Sequence, residues 1–303
     1  MDSRSPSPST HRVIVGVDGT AGSVEALRWA AHEAARRSWP LHVVTCAEIP
    51  VVLDSAFMGG IAGTPEVERI VHEHESVSER AVTAARSFGL DIEVSGETVL
   101  GAPAYALSAM SQPHGLVVVG ATSHPTRLAD VLGSVASLVA HRARGAIAVI
   151  HGPASASGDV HRIVVGVDGS RGSDAALRWA TEQALRCGAE LVLVHGWTYP
   201  YAVSAPGAND PRQEMKLDAM RALEASAALV RELAPSVRCT SIISEDSPSK
   251  AVLDEVQDRG RGADLVVVGS RGHGGFASLL LGSVSRTVLQ HATVPVVVVR
   301  CDD

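Results

Sequence analysis

The chain has 303 residues, 46% of them apolar and 19% charged, enough to bury the cores of two ordinary domains and too apolar for a disordered chain. A formal charge of −7 leaves no basic excess for neutralising phosphate backbones, which excludes a general nucleic-acid binder. No apolar run approaches the roughly 18 residues of a membrane span, and with only 3% aromatics the cores must be built from Val, Leu, Ile and Ala.

Residues 1–10, MDSRSPSPST, are polar and rich in Pro and Ser, and read as a disordered tail with none of the apolar stretch of a secretory signal. A first domain is expected over 11–151, with strand candidates RVIVGV, LHVVTCA, IEVSGETV, LVVVG and AIAVI, all rich in β-branched residues. The small, polar GPASASGDV sets a linker at 152–160. A second domain over 161–303 repeats the order with RIVVGV, ELVLVHGW, RCTSII, DLVVVG and VPVVVV. Between these lie GSDAALRWATEQALR, PRQEMKLDAMRALEASAALVREL, PSKAVLDEVQD and LGSVSRTVLQHA, with apolar residues at helical spacing.

The halves are one unit written twice. RVIVGVDGTAGSVEALRWA (12–30) and RIVVGVDGSRGSDAALRWA (162–180) agree at thirteen of nineteen positions. A period this long marks a duplicated domain; solenoid repeats run to about 20–50 residues. Strands alternating with helices, and runs apolar throughout, predict an α/β fold: in each half a five-stranded, doubly wound parallel sheet with helices on both faces. The first helix of each half opens with Gly-Ser and an acidic residue, Glu25 or Asp174, suited to a capped N-terminus.

Strand 1 ends in VGVDG and strand 4 in VVVG, and strand order in such a sheet reverses between these two elements. Ligands then sit beyond the strand ends at that point, which puts Asp168 and the loop GSRGHGGFASLLLGS (269–283) in one cleft, and Asp18 with GATSHPTRLADVLGS (120–134) in another. Glycines at 269, 272, 274 and 275 permit positive φ and close approach to a ligand. Inward-turned N–H groups there make an anion nest, and Gly282-Ser283 opens a helix whose free N–H groups favour phosphate. The loop's fixed cation is Arg271, with His273 a conditional one. Only Lys216 and Lys250 are lysines, so a Walker-type loop with its lysine is excluded, and GVDGS is not the dinucleotide fingerprint GxGxxG.

In this context the pattern G-x2-G-x9-G-[ST] over 269–283 resembles the ATP-binding motif of the universal stress protein family, and VGVDGS (165–170) resembles that family's strand-1 ending. The resemblance covers both halves and is to the tandem form common in actinobacteria. It implies Rossmann-like domains of the adenine nucleotide alpha hydrolase-like kind. It also implies a cytoplasmic ATP-binding regulator of stress response, growth arrest or dormancy, with ATP (or AMP or ADP) as ligand, Mg2+ as candidate companion ion and at most slow hydrolysis. Alternatives of the same fold are a weak ATP hydrolase or transferase and a nucleotide-free interaction scaffold. Carried over residue by residue, Val167, Asp168 and the backbone near Gly196 face adenine. Val268, Gly269, Arg271 and Gly272 approach ribose and phosphates, and Gly282, Ser283 and Val284 hold the phosphates. The family's fifth strand, matched by VPVVVVR, commonly pairs edge to edge with another domain, which implies that the halves pair within the chain; a homo-oligomer, a dimer first, and protein partners of unknown identity are further expectations.

The first half matches at Val17, Asp18, Gly120, Gly133, Ser134 and Val135, but Ser123 replaces the second motif glycine and Pro125 replaces Gly274. If that position needs positive φ, a non-Gly residue costs about 1–2 kcal/mol, about tenfold in affinity. Pro125 also removes an N–H donor. Weaker or altered binding, or none, is therefore expected in the first half; the alternative is a site relaxed around Ser123, whose hydroxyl itself contacts phosphate.

The remaining features read as structural. The four cysteines, Cys46, Cys187, Cys239 and Cys301, lack CxxC spacing and are expected as reduced thiols; Cys46, ending strand 2, reads as a small core residue with redox sensing as the alternative. HEHE (72–75) reads as a solvated helix face, His195 as an edge histidine beside the cleft, and Trp29 and Trp179 as core. The Gly/Pro-containing segments 48–63 and 198–208 are candidate lids or partner surfaces.

Overall fold

A computed structural model describes residues 11–49, 65–122, 132–152, 158–199, 211–258, 260–272 and 281–301. The chain divides into two compact units between Gly158 and Asp159. The first contains β1 (Val13–Gly16), α1 (Ala21–Arg37), β2 (Leu41–Ala47), α2 (Pro65–Ser87), β3 (Val94–Leu100), α3 (Pro103–Met110), β4 (Leu116–Gly120), α4 (Ser134–Arg142) and β5 (Ala146–Ile150). The second repeats this as β6 (Arg162–Gly166), α5 (Arg171–Cys187), β7 (Glu190–Gly196), α6 (Pro211–Leu233), β8 (Cys239–Ser244), α7 (Pro248–Val256), β9 (Leu265–Gly269), α8 (Ser283–His291) and β10 (Val296–Val299).

Strand order is β3-β2-β1-β4-β5 in the first unit and β8-β7-β6-β9-β10 in the second. Every pairing within a unit is parallel. Order reverses between β1 and β4, and again between β6 and β9, as the doubly wound reading requires. In each unit the first two helices pack together, as do the last two, one pair on each face of the sheet. The inner strands are buried throughout: Val13, Val15, Val118, Val164, Val165 and Val267 have no accessible surface. The edge strands β3 (VSGETVL) and β8 (CTSIIS) are mostly exposed or half-exposed, which explains their polar sequence.

The helix that follows strand 1 starts earlier than its Gly-Ser pair suggests. Thr20 caps α1 and Ser170 caps α5, each hydroxyl accepting from the N–H three residues on, at 3.4 and 3.2 Å. Asp174 falls in the first turn of α5, whereas Glu25 lies beyond the first turn of α1. Because the Ser170 hydroxyl ties the strand-to-helix turn, Ser170→Ala should lower stability by about 1 kcal/mol. Urea unfolding should show a lower midpoint at unchanged slope.

Candidate nucleotide site

The turn leaving β6 positions one carboxylate. Val167 N–H donates to the Val194 carbonyl at 2.9 Å, continuing the sheet ladder one residue past the strand. Asp168 follows, and Gly169 takes a φ of 79°, a left-handed conformation that a side chain would oppose. Asp168 Oδ1 accepts from Ser170 N–H at 2.9 Å while Asp168 N–H donates to Ser173 Oγ at 3.1 Å. The first unit repeats the turn. Asp18 Oδ1 accepts from Thr20 N–H at 3.0 Å and from Thr20 Oγ1 at 2.6 Å, with Gly19 at φ 81°.

The motif glycines serve a different purpose from the one expected. Neither Gly269 nor Gly272 has a positive φ. A Cβ on Gly269 would stand 2.6 Å from the carbonyl carbon and oxygen of Gly172, and one on Gly172 would collide with the Arg271 carbonyl oxygen. Strand end and helix start therefore touch backbone to backbone. A Cβ on Gly272 would collide with Asp168 Oδ2. The penalty for a side chain at this position is thus steric, against the carboxylate, and not conformational. Gly22 and Gly120 repeat the backbone contact, a Cβ on Gly120 standing 2.9 Å from the Gly22 carbonyl. His273, Gly274, Gly275, Ser123 and Pro125 lie outside the described residues.

Beyond the loop, Gly282 caps α8 and donates its N–H to the Ser270 carbonyl at 2.7 Å. Ser285 Oγ donates to the Ser270 and Gly282 carbonyls at 3.2 and 3.0 Å, pinning the helix start. The ten second-half residues named from the sequence, Val167, Asp168, Gly196, Val268, Gly269, Arg271, Gly272, Gly282, Ser283 and Val284, are brought together around one cavity of about 470 Å3. That volume lies within the roughly 300–1,000 Å3 of small-molecule sites. Val194, Pro248 and Val252 complete an apolar wall that the sequence reading missed; its signal was the proline opening PSKAVLDEV. His195 is not among the described residues of the lining.

Arg300 is a second residue that sequence reasoning missed. Val299 accepts from Ser270 N–H at 2.9 Å, so Arg300 and Arg271 leave adjoining backbones. Burial, and then the like charge of Arg271, hold the Arg300 guanidinium below its ordinary value. Arg271 thus has a second arginine as a neighbour, which the loop sequence alone does not reveal.

The first unit has a cavity of about 70 Å3 at the corresponding place. Val17, Asp18, Gly120 and Val135 line it; Gly133 and Ser134 are not among its described lining, Gly133 serving as the cap of α4.

Comparison with known proteins shows the family of the chain. A profile of the universal stress protein family matches residues 9–151 and 159–300. This chain belongs to the universal stress protein family. A universal stress protein of Mycobacterium tuberculosis (strain ATCC 25618 / H37Rv) is 34% identical over 298 residues, covering 96% of this chain and 97% of that one. One from Mycolicibacterium smegmatis is 32% identical over 304 residues, covering 97% and 98%. Among solved structures, a universal stress protein from Archaeoglobus fulgidus superposes with a TM-score of 0.69 at 20% identity, covering 97% of this chain and 98% of that one, a likeness of fold.

Within this tandem universal stress protein, Cys46 lines the first cavity, and burial, followed by Glu48 and Glu97, pushes its thiol up to about 11. Such a thiol stays protonated at neutral pH and is a poor nucleophile, which argues against the redox-sensing alternative. None of the four cysteines is in a disulfide. HEHE lies on a solvent-facing stretch of α2, His74 turned back to the Ile70 carbonyl at 2.8 Å. Trp29 is buried, Trp179 half-buried. Among the described residues no helix is long and apolar enough to cross a membrane. At pH 8 iodoacetamide should modify Cys46 about 100-fold more slowly than an ordinary thiol, from the thiolate fraction. Its rate should rise steeply toward pH 11. Peptide mapping by mass spectrometry reads both.

Proposed function

We propose that the second unit binds ATP, or its di- and monophosphate, and that the chain is a nucleotide-dependent regulator of stress response, growth arrest or dormancy. The observation that carries this reading is the convergence of Asp168, Gly272 and the start of α8 on a cavity of about 470 Å3. The base would lie against Val167, Val194, Val252 and Val268, an apolar slot suited to a flat aromatic ring. The Asp168 carboxylate oxygens are suited to accept from the amino group of adenine, and the backbone at Gly196 would offer the remaining edge contacts.

Phosphates would sit at Gly282, Ser283 and Val284, where the first N–H groups of α8 lack intrahelical acceptors and the helix dipole favours negative charge. Arg271 adds a fixed cation. A Mg2+ ion would draw its ligands from phosphate oxygens and Asp168, since no cluster of three or more metal-ligating side chains occurs among the described residues. The chemistry of these groups is recognition: they bind, orient and neutralise. Regulation then follows from the difference between filled and empty states. The same reading holds the protein in the cytoplasm, as a homodimer with protein partners.

Mass spectrometry of nucleotide released from the purified full chain should find an adenine nucleotide in the wild type and little in Gly272→Ala. The added methyl would displace the Asp168 carboxylate. ATP at a hundredfold excess over Kd should stabilise the wild type by about 2.7 kcal/mol. Unchanged nucleotide content in Gly272→Ala would mean that the site lies elsewhere.

A further inference from the structure

The two units share one register, so their cavities can be compared residue by residue. Val17 N–H donates to Val44 O, as Val167 N–H does to Val194 O, each at 2.9 Å. Two residues further on, Cys46 occupies the place of Gly196. Pro103 and Pro248 each open a helix at its first turn, so Leu107 stands where Val252 does. Ala121 N–H donates to Ile150 O, as Ser270 N–H does to Val299 O, each at 2.9 Å, which sets Thr122 against Arg271. All six residues line their respective cavities.

Each exchange acts in the same direction. Cys46 brings a side chain to a wall that Gly196 leaves as bare backbone. Leu107 reaches further beneath β1 than Val252 does beneath β6. Its Cδ1 lies 2.8 Å from the point where a Gly16 Cβ would stand, against 3.2 Å for Val252 Cγ2 and Gly166. Thr122 replaces the guanidinium at the phosphate end with a neutral hydroxyl. The base end is narrowed, and among the described residues the phosphate end has no counterpart of the Arg271 cation. The resulting cavity of about 70 Å3 falls well below the roughly 300 Å3 at which small-molecule sites begin.

We propose that Cys46, Leu107 and Thr122 bar adenine nucleotides from the first unit, so that each chain holds a single nucleotide, in the second. This inference rests on the ATP reading of the second unit, but its determinants are side chains of the first. The first unit keeps the fold of a nucleotide domain, its Asp18 turn and its helix cap, while its cleft is closed to the ligand that the other half takes.

Isothermal titration of the full chain with ATP, in the wild type and in Cys46→Gly/Leu107→Val/Thr122→Arg, tests this. One site in the wild type and two in the triple variant are expected. Two sites in the wild type would overturn the proposal, and a triple variant still at one would overturn the assignment to these side chains. A wild type with no site removes the reading of the second unit instead. The triple variant then decides alone, one new site supporting the proposal and none overturning it. Photolabelling of the wild type with 8-azido-ATP, followed by peptide mapping, needs no variant. Label confined to peptides of the second unit is expected, and label on peptides carrying Asp18 or Thr122 would sink the proposal.

Discussion

In each unit the start of the first helix rests against the end of the fourth strand without an intervening side chain. Gly172 faces Gly269 and the Arg271 carbonyl; Gly22 faces Gly120 and the Thr122 carbonyl. Two elements can approach this closely only if neither carries a Cβ at the contact. The consequence is positional. The strand-1 turn with its aspartate and the strand-4 loop are drawn to the same point, where strand order reverses and the sheet leaves a crevice. Asp168 then takes its place by hydrogen bonding to its own turn, and Gly272 fits beneath the carboxylate because it has no side chain to offer.

The charge of the cleft departs from that of the chain. A net −7 would disfavour an anionic ligand at long range, but such fields are screened within about 8–10 Å at physiological salt. What a bound phosphate would meet is local: Arg271 on the rim, Arg300 on the adjoining backbone, and the positive end of α8. Arg300 is held below its ordinary value by burial and then by the like charge of Arg271.

Duplication left the scaffold and the site under different constraints. A sheet core needs apolar residues of about the right volume, and both units satisfy this with Val, Ile, Leu and Ala. A ligand cleft needs particular shapes and charges at particular points. The units can therefore differ at Cys46 and Gly196, Leu107 and Val252, and Thr122 and Arg271 while keeping the same fold, and the exclusion proposed above rests on those three differences. The edge strands follow the same division: they stay polar because one side faces solvent, not because of any ligand.

The fold was legible from the chain alone, because period, β-branched runs and the duplicated VGVDG ending are local signals, each read within about twenty residues. So was the membership of Asp168, Arg271, Gly272 and Ser283 in one place, since the reversal of strand order brings the first and fourth strand ends together. The positive φ expected at Gly269 and Gly272 is absent. Positive φ is a local property, whereas the constraint at Gly272 is the carboxylate of Asp168, about a hundred residues earlier. The Val252 wall and the approach of Arg300 were likewise hidden, as they depend on a helix start and a fifth strand folding back on the cleft. Two parallel-sheet units and a glycine-rich loop after the fourth strand are written in neighbouring residues and could be read there. Which glycines are steric necessities, and that Cys46 stands in the place of Gly196, emerge from the folded chain, because both follow from contacts between distant segments.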